Sequence, residues 1–388
     1  MHSAARRWTL HWGLLAISVV VATLLAEGLS RAVLNPVDYL AVDPVFDPVL
    51  GVRLEPNAGG HDEWGFRNPA VPESADVVTI GDSQTYGISA PAHLSWPGHL
   101  KNVTKRRVYN LALGGYGAMQ YRELLRTRAL QLHPAVIVVG FYYGNDLFDA
   151  YKAVYGLRHW AALRRKDIPE VGGSMLATSP RQVFLGSVRD WLARHSVVYR
   201  LASFTVLGSY ARRVEFMTQH RASGVVPFQH PVNGVKTGFT PLLRLKALDL
   251  EDATIREGLR LSLDQLDLMA EECRVAGVHF MVALIPTKER VYAPWLVDRA
   301  DLPERASFRA LLNNEDKVNR LIQEWLDRSG IRYLDLVTPL RASAALQAIY
   351  PGNDDGHPNS EGYAVIARAV TVAIRDWLPT PSSGVIRH

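Results

Sequence analysis

Five short apolar runs rich in β-branched residues, at 77–80, 107–111, 135–139, 279–285 and 332–336, alternate with longer stretches of helical periodicity. A strand that is apolar on both sides of its pleat belongs in a sheet covered on both faces, and an intervening helix returns the chain to run in the same direction. The alternation therefore predicts a three-layer α/β fold around a parallel sheet of about five strands in the flavodoxin-like order. Two of the covering helices can be placed residue by residue. Ile255, Leu259, Leu266, Ala270 and Cys273 recur at helical spacing, and Gly277 is a natural C-terminal stop before the fourth strand. Near the end of the chain Tyr363, Ile366, Ala367, Val370, Ile374 and Trp377 form one apolar stripe, opened by Asn359 or Ser360 as N-cap and closed before Pro379.

The chain has 388 residues, which fits either two domains or one α/β domain with an insertion. About 130 residues separate the third strand from the fourth, far more than one crossover helix requires, so an insertion is expected at about 151–240. Amphipathic pieces at 184–192 and 197–206 predict a helical cap or lid, with the Pro- and Gly-rich stretch 221–240 leading back to the core. Residues 35–75 carry repeated turn pairs such as Asp43-Pro44, Asp47-Pro48 and Asn68-Pro69 and read as an irregular connector. The expected organisation is an N-terminal segment and membrane anchor at 1–34, the connector at 35–75, and one domain with its insertion at 76–388.

The N-terminal expectation rests on Arg6 and Arg7, followed by the run 13–26 in which only Ser18 and Thr23 are polar. Both hydroxyls can bond back to a helix backbone. The run lengthens when Leu10, Trp12 and Leu29 are counted, so a signal peptide and an uncleaved anchor both fit. The anchor is the reading adopted: one span of the cytoplasmic membrane, arginines inside, the rest of the chain on the extracytoplasmic, periplasmic side. The net charge of +5 is local, since residues 151–221 hold twelve Lys and Arg against four Asp and Glu. That excess marks a solvated basic face or one that meets an anionic surface; no nucleic-acid module accompanies it and no nucleic-acid partner is expected. The one cysteine, Cys273, excludes an intrachain disulfide and falls on the apolar helix stripe.

Chemistry-bearing residues gather where the strands end. The first strand runs into Gly81-Asp82-Ser83, the second into Gly114-Gly115-Tyr116-Gly117, the third into Gly144-Asn145-Asp146, and the fifth leads to Asp354-Asp355-Gly356-His357. In an open parallel sheet ligands bind at the carboxyl ends of the strands, so a hydroxyl, a glycine turn, an amide and an acid-histidine pair share one edge. A serine hydroxyl becomes a nucleophile when an imidazole takes its proton, and the imidazole needs an acceptor on its other nitrogen. His357 fits the base. Asp354, one helical turn before it, is preferred over Asp355 as the orienting acid. Asp82 and Asp146 are read as loop braces, Lys288 and Glu289 as a solvated ion pair, and Tyr116, Tyr142 and Tyr143 as pocket lining or packing. No His-Glu-x-x-His spacing, Walker loop or dinucleotide fingerprint occurs, and neither a cofactor nor a metal is expected.

These four blocks, in this order, resemble the SGNH (GDSL) hydrolase family, over roughly residues 60–150 and 245–378. Gly65-Phe66-Arg67 and Ile285-Pro286-Thr287-Lys288 make the chain similar to the bacterial subgroup with one N-terminal membrane helix. The resemblance implies a catalytic triad of Ser83, Asp354 and His357. It also implies an oxyanion hole built from the backbone N–H of Ser83, the backbone N–H of Gly115 and the side-chain amide of Asn145. The implied function is a membrane-anchored serine esterase that cleaves acyl esters, O-acetyl esters among them, through an acyl-serine intermediate, on a glycan or lipid substrate. The rival expectations are an O-acyltransferase that modifies an envelope glycan and an anchored binding protein without catalysis.

Overall fold

A computed structural model describes residues 2–170, 186–205, 225–297, 299 and 302–378. Five strands, β3 (Val77–Gly81), β4 (Val108–Ala112), β5 (Val136–Tyr142), β8 (His279–Ile285) and β9 (Arg332–Asp335), form one sheet in the spatial order β4-β3-β5-β8-β9. Every neighbouring pair is parallel. In chain order that is 2-1-3-4-5, the flavodoxin-like arrangement, whose order reverses beside β3.

The period of two along the strands divides the core into two layers. Val78, Ile80, Ile137, Val139, Val282 and Leu284 face one way, onto the helices Ala118–Thr127, Ala253–Val275 and Arg305–Arg328. Val77, Val138, Met281, Ala283 and Ile285 face the other, onto Trp96–Thr104, Val337–Ala344 and Ser360–Ala373. Each fully buried Val, Ile or Leu contributes about 1.5–3 kcal/mol, so a one-residue slip that exchanged the two sets would be resisted at many positions together. The helix Ala253–Val275 starts at Asp252, whose side chain accepts from Thr254 N, and buries Leu259, Leu266 and Cys273 as the spacing predicts. The final helix Ser360–Ala373 is capped by Asn359 through Gly362 N.

Two expectations change. The connector holds an antiparallel hairpin of β1 (Pro44–Asp47) and β2 (Gly51–Leu54), and the side chain of its Arg67 is 6% exposed. Arg67 donates to the carbonyls of Gly87 at 2.8 Å and Ala90 at 3.0 Å and pairs with Asp38 at 2.7 Å, tying the connector to the turn that follows Ser83. The insertion, in turn, begins inside a helix, Asp146–Gly156, and ends in a hairpin of β6 (Val226–Gln229) and β7 (Lys236–Phe239). Asn233-Gly234, with Gly234 at φ +71°, makes the turn that such a hairpin needs. Val226, Phe228 and Phe239 bury one face of it.

The amphipathic pieces of the insertion do form helices, Gly186–His195 and Val197–Thr205, while 171–185 and 206–224 lie outside the described residues. Their bonds go to the N-terminal segment. Glu27 accepts from Val197 N at 3.0 Å, Val198 N at 3.1 Å and the Ser196 hydroxyl at 2.9 Å, closing the open N-terminus of the second helix. Arg31 reaches the His195 carbonyl at 2.7 Å, and Arg200 reaches that of Tyr39 at the same distance. The part of the insertion that approaches the sheet edge is instead the hairpin, where Gly238 N bonds Asn353 O at 2.9 Å and Thr237 Oγ1 bonds Pro351 O. The helix His2–Val33 contains one stretch, His11–Val33, that is long and apolar enough to cross a membrane, and no residue of its apolar window is buried by the rest of the chain.

Candidate active site

β3 delivers Ser83 to the carboxyl edge by a turn that depends on small residues. A Cβ on Gly81 would lie 2.2 Å from the hydroxyl of Thr85 and 3.0 Å from the carbonyl of Gly140, so only a bare backbone lets the short helix Ser83–Tyr86 fold back over the strand ends. Asp82 caps that helix by accepting from Gln84 N at 2.8 Å. Burial raises the Asp82 carboxyl to about 6 against its hydrogen bonds.

Ser83 Oγ lies 2.8 Å from His357 Nε2, although the two residues are 274 positions apart. Asp82 Oδ2, at 3.4 Å, is the more distant neighbour of the same hydroxyl. His357 Nδ1 lies 2.6 Å from Asp355 Oδ1. A hydroxyl, an imidazole and a carboxylate thus form a continuous hydrogen-bonded chain, which holds the ring in the tautomer that leaves Nε2 free to accept a proton.

The acid expected from spacing is corrected: Asp355, not Asp354, meets His357. Residues 351–359 form bends and irregular loop rather than helix, so three-residue spacing does not align side chains there. Asp355 Oδ1 also accepts the backbone N–H of His357 at 3.0 Å, a local turn that fixes carboxylate and ring together. Its second oxygen accepts the Ser89 hydroxyl. Burial opposes ionisation of Asp355, but the hydrogen bonds and charge of His357 and the bond from Ser89 outweigh it and hold the carboxyl at about 2.

The backbone N–H groups of Ser83 and Gly115 donate to no acceptor among the described residues. Gly115 has φ +80°, and a Cβ built on it would meet nothing within 4 Å, so this turn faces open space beside the nucleophile. Neighbouring Gly114 comes within 3.5 Å of the Ser83 Cβ by the same construction. Asn145, in contrast, points its amide nitrogen at Asp149 Oδ2, 2.6 Å away, and leaves its own Oδ1 buried without a partner. Burial raises Asp149 to about 7. One of the two N–H donors of the amide is therefore engaged by a buried carboxylate in this structure.

Asp146 braces its loop as expected, accepting from Tyr142 N and from the Tyr121 hydroxyl, both at 3.0 Å. Tyr116, Tyr142 and Tyr143 are all buried. Lys288 and Glu289 are not a solvated pair. They open a helix directly under the 353–355 segment and are 1% and 2% exposed. Lys288 Nζ donates to the carbonyls of Asn353 at 2.8 Å and Asp355 at 3.0 Å, with the rings of Phe239 and Tyr350 on either side. Burial pulls the ammonium down to about 8. Glu289 accepts from Thr240 N at 3.0 Å. Ser89 and Arg244, the latter 3.3 Å from the carbonyl of Gly144, are the site residues that sequence reasoning missed; neither belongs to a motif block.

No family model and no curated protein sequence matches the chain. Among solved structures it is similar to an extracellular lipase from Streptomyces rimosus, with 13% identity, 77% of this chain and 100% of that chain covered, and a TM-score of 0.40. It is similar to a catalytic mutant of an acetylxylan esterase from Geobacillus stearothermophilus, with 10% identity, 80% and 99% covered, and a TM-score of 0.39. A third is phospholipase A1 from Streptomyces albidoflavus NA297, with 12% identity, 78% and 99% covered, and a TM-score of 0.39.

Proposed function

We propose that this chain is a serine esterase of the SGNH type, anchored by its N-terminal helix and working on the extracytoplasmic side of the membrane. The observation that carries the chemistry is the chain of contacts from Ser83 to His357 to Asp355, at 2.8 and 2.6 Å. Ser83 Oγ attacks the ester carbonyl as its proton passes to His357 Nε2. The tetrahedral oxyanion receives hydrogen bonds from the N–H groups of Ser83 and Gly115. Its collapse expels the alcohol, which takes the proton back from His357, and leaves an acyl group on Ser83. Water, deprotonated by the same imidazole, then attacks the acyl carbon and releases the carboxylic acid, restoring Ser83. Asp355 stays ionised throughout and stabilises the imidazolium.

Anchoring is supported by the apolar stretch His11–Val33; the bonds of Glu27 and Arg31 to the insertion fit an anchor and a peptide cleaved ahead of Glu27 alike. Cleavage ahead of Glu27 would keep those two residues, whereas cleavage after Arg31 would remove the cap from the helix Val197–Thr205. The reading is tested with the full-length protein. Acetate release from a chromogenic acetyl ester should be abolished by Ser83→Ala, and the protein should stay with membranes after a carbonate wash. Undiminished turnover by Ser83→Ala would refute the catalytic assignment, and a soluble mature protein that starts near Glu27 would refute the anchor.

A further inference from the structure

Arg244 stands at the back of the site with most of its hydrogen-bonding capacity unused. It belongs to the helix Pro241–Ala247, which directly follows the insertion's hairpin, and its guanidinium is wedged between two of the motif blocks. Nη1 reaches the carbonyl of Gly144, next to Asn145, at 3.3 Å. A Cβ placed on Gly356, between Asp355 and His357, would lie 3.0 Å from Nη2. Cζ sits 5.6 Å from the centre of the Tyr142 ring. The Tyr142 hydroxyl, on a side chain that is 2% exposed, has no hydrogen-bond partner and lies 3.5 Å from the same Gly356 position.

A guanidinium carries five N–H donors, and one long bond leaves most of them unused. Arg244 is half-buried, and none of its nitrogens is both buried and unpartnered, so its remaining donors are open to solvent or to an incoming acceptor. The carboxylates whose charge reaches Arg244 are Glu289, Asp82 and Asp355. None forms an ion pair with it among the described residues, because each is engaged elsewhere. Asp355 holds His357 and Ser89, Glu289 holds Thr240 N, and Asp82 holds Gln84 N. A planar fork beside the catalytic histidine, short of an acceptor and next to an unpartnered phenol, matches an anionic group brought by the substrate.

Resting on Ser83 as the nucleophile, we propose that Arg244 is an anion-recognition residue and that the preferred substrate is an acyl ester whose alcohol part carries a carboxylate or phosphate. The alcohol side is indicated because Arg244 lies against Gly356, adjacent to the imidazole that hands its proton to the departing oxygen. An ester with its negative group on that side gains a charge-assisted contact that a neutral ester lacks.

The test compares three acetyl esters on the full-length protein: 4-acetoxybenzoate, 4-acetoxyphenyl phosphate and the neutral 4-acetoxybenzamide. The quantity read is kcat/KM for each anionic ester divided by that for the amide, in wild type, Arg244→Gln and Arg244→Lys. The ratio should fall by about tenfold or more in Arg244→Gln, mainly through KM, and recover in part in Arg244→Lys. Whichever anionic ester shows the larger fall identifies carboxylate or phosphate as the recognised group. A parallel loss on all three esters would overturn the proposal, since structural damage does not choose between charges. Binding of the same compounds to Ser83→Ala separates the two readings. If wild type hydrolyses none of them, a preference for the anions that Arg244→Gln removes keeps the anion subsite and discards the nucleophile; no preference discards both.

Discussion

Ser89 donates its hydroxyl to Asp355 Oδ2, the carboxylate oxygen that His357 leaves free. One oxygen orients the imidazole while the other is held by a residue in the loop after the nucleophile, at φ +73°. The carboxylate thereby links the serine loop to the histidine loop across 266 positions of sequence. Ser89→Ala should leave folding intact and lower kcat by roughly tenfold, the scale of one hydrogen bond to a charged group. Steady-state kinetics with an acetyl ester checks this; an unchanged kcat would mean that His357 and the local turn alone fix Asp355.

Replacing Asp355 by Asn should cost far more, about a thousandfold or more in kcat, because the amide can no longer accept from Nδ1–H and the ring loses the tautomer that serves Ser83. Asp354→Asn, at a side chain that makes no bond to His357, should change kcat by less than about threefold. Equal losses in the two variants would contradict the assignment of the acid.

The sheet order and the pairing of Ser83 with His357 could be read from the sequence because they rest on local signals: apolar runs of strand length and short blocks at strand ends. The choice of Asp355 over Asp354 could not, since it depends on residues 353–357 forming a bent loop rather than a helix. Ser89 and Arg244 gave no signal at all, for each meets the site through a contact more than 90 positions distant in the chain. The fate of Lys288 and Glu289 turned on burial. Two adjacent charges after a strand usually face water, but here the 351–355 segment and the insertion's hairpin close over them. The hairpin itself had a visible cue in Asn233-Gly234, inside the stretch 221–240 that was read only as a Pro- and Gly-rich return to the core.

Lys288 should matter through the loop it holds. Lys288→Met preserves the stem between Phe239 and Tyr350 but removes both donors to the 353–355 carbonyls. Amide hydrogen exchange should rise selectively at 353–357 while the sheet stays protected, and kcat should fall by about tenfold. Unchanged exchange in that segment would show that the ammonium does not hold the turn.

The buried carboxyls set a pH dependence with a definite sign. Asp82 and Asp149 are raised to about 6 and 7, so between about 4 and those values the folded protein holds protons that the unfolded chain keeps only below about 4. The stability they contribute is fully present below the unfolded value and is lost as pH rises through 6 to 7. Asp355, lowered to about 2, acts oppositely, its contribution being lost as pH falls from about 4 through 2. Chemical denaturation should therefore find stability rising from pH 8 to 5, with a shallower slope in Asp149→Asn. An identical slope in the variant would show that Asp149 does not titrate in that window.

Labelling with a fluorophosphonate tests the central claim most directly, because the activated serine oxygen displaces fluoride and is phosphonylated, a reaction that an unactivated serine hydroxyl does not undergo at comparable rate. Incubating the full-length protein with the probe and mapping the adduct by mass spectrometry should place it on Ser83. Labelling should disappear in Ser83→Ala and be slowed by a factor of about a thousand or more in His357→Ala. An adduct on another serine, or no adduct under conditions that label a known serine hydrolase, would contradict the account.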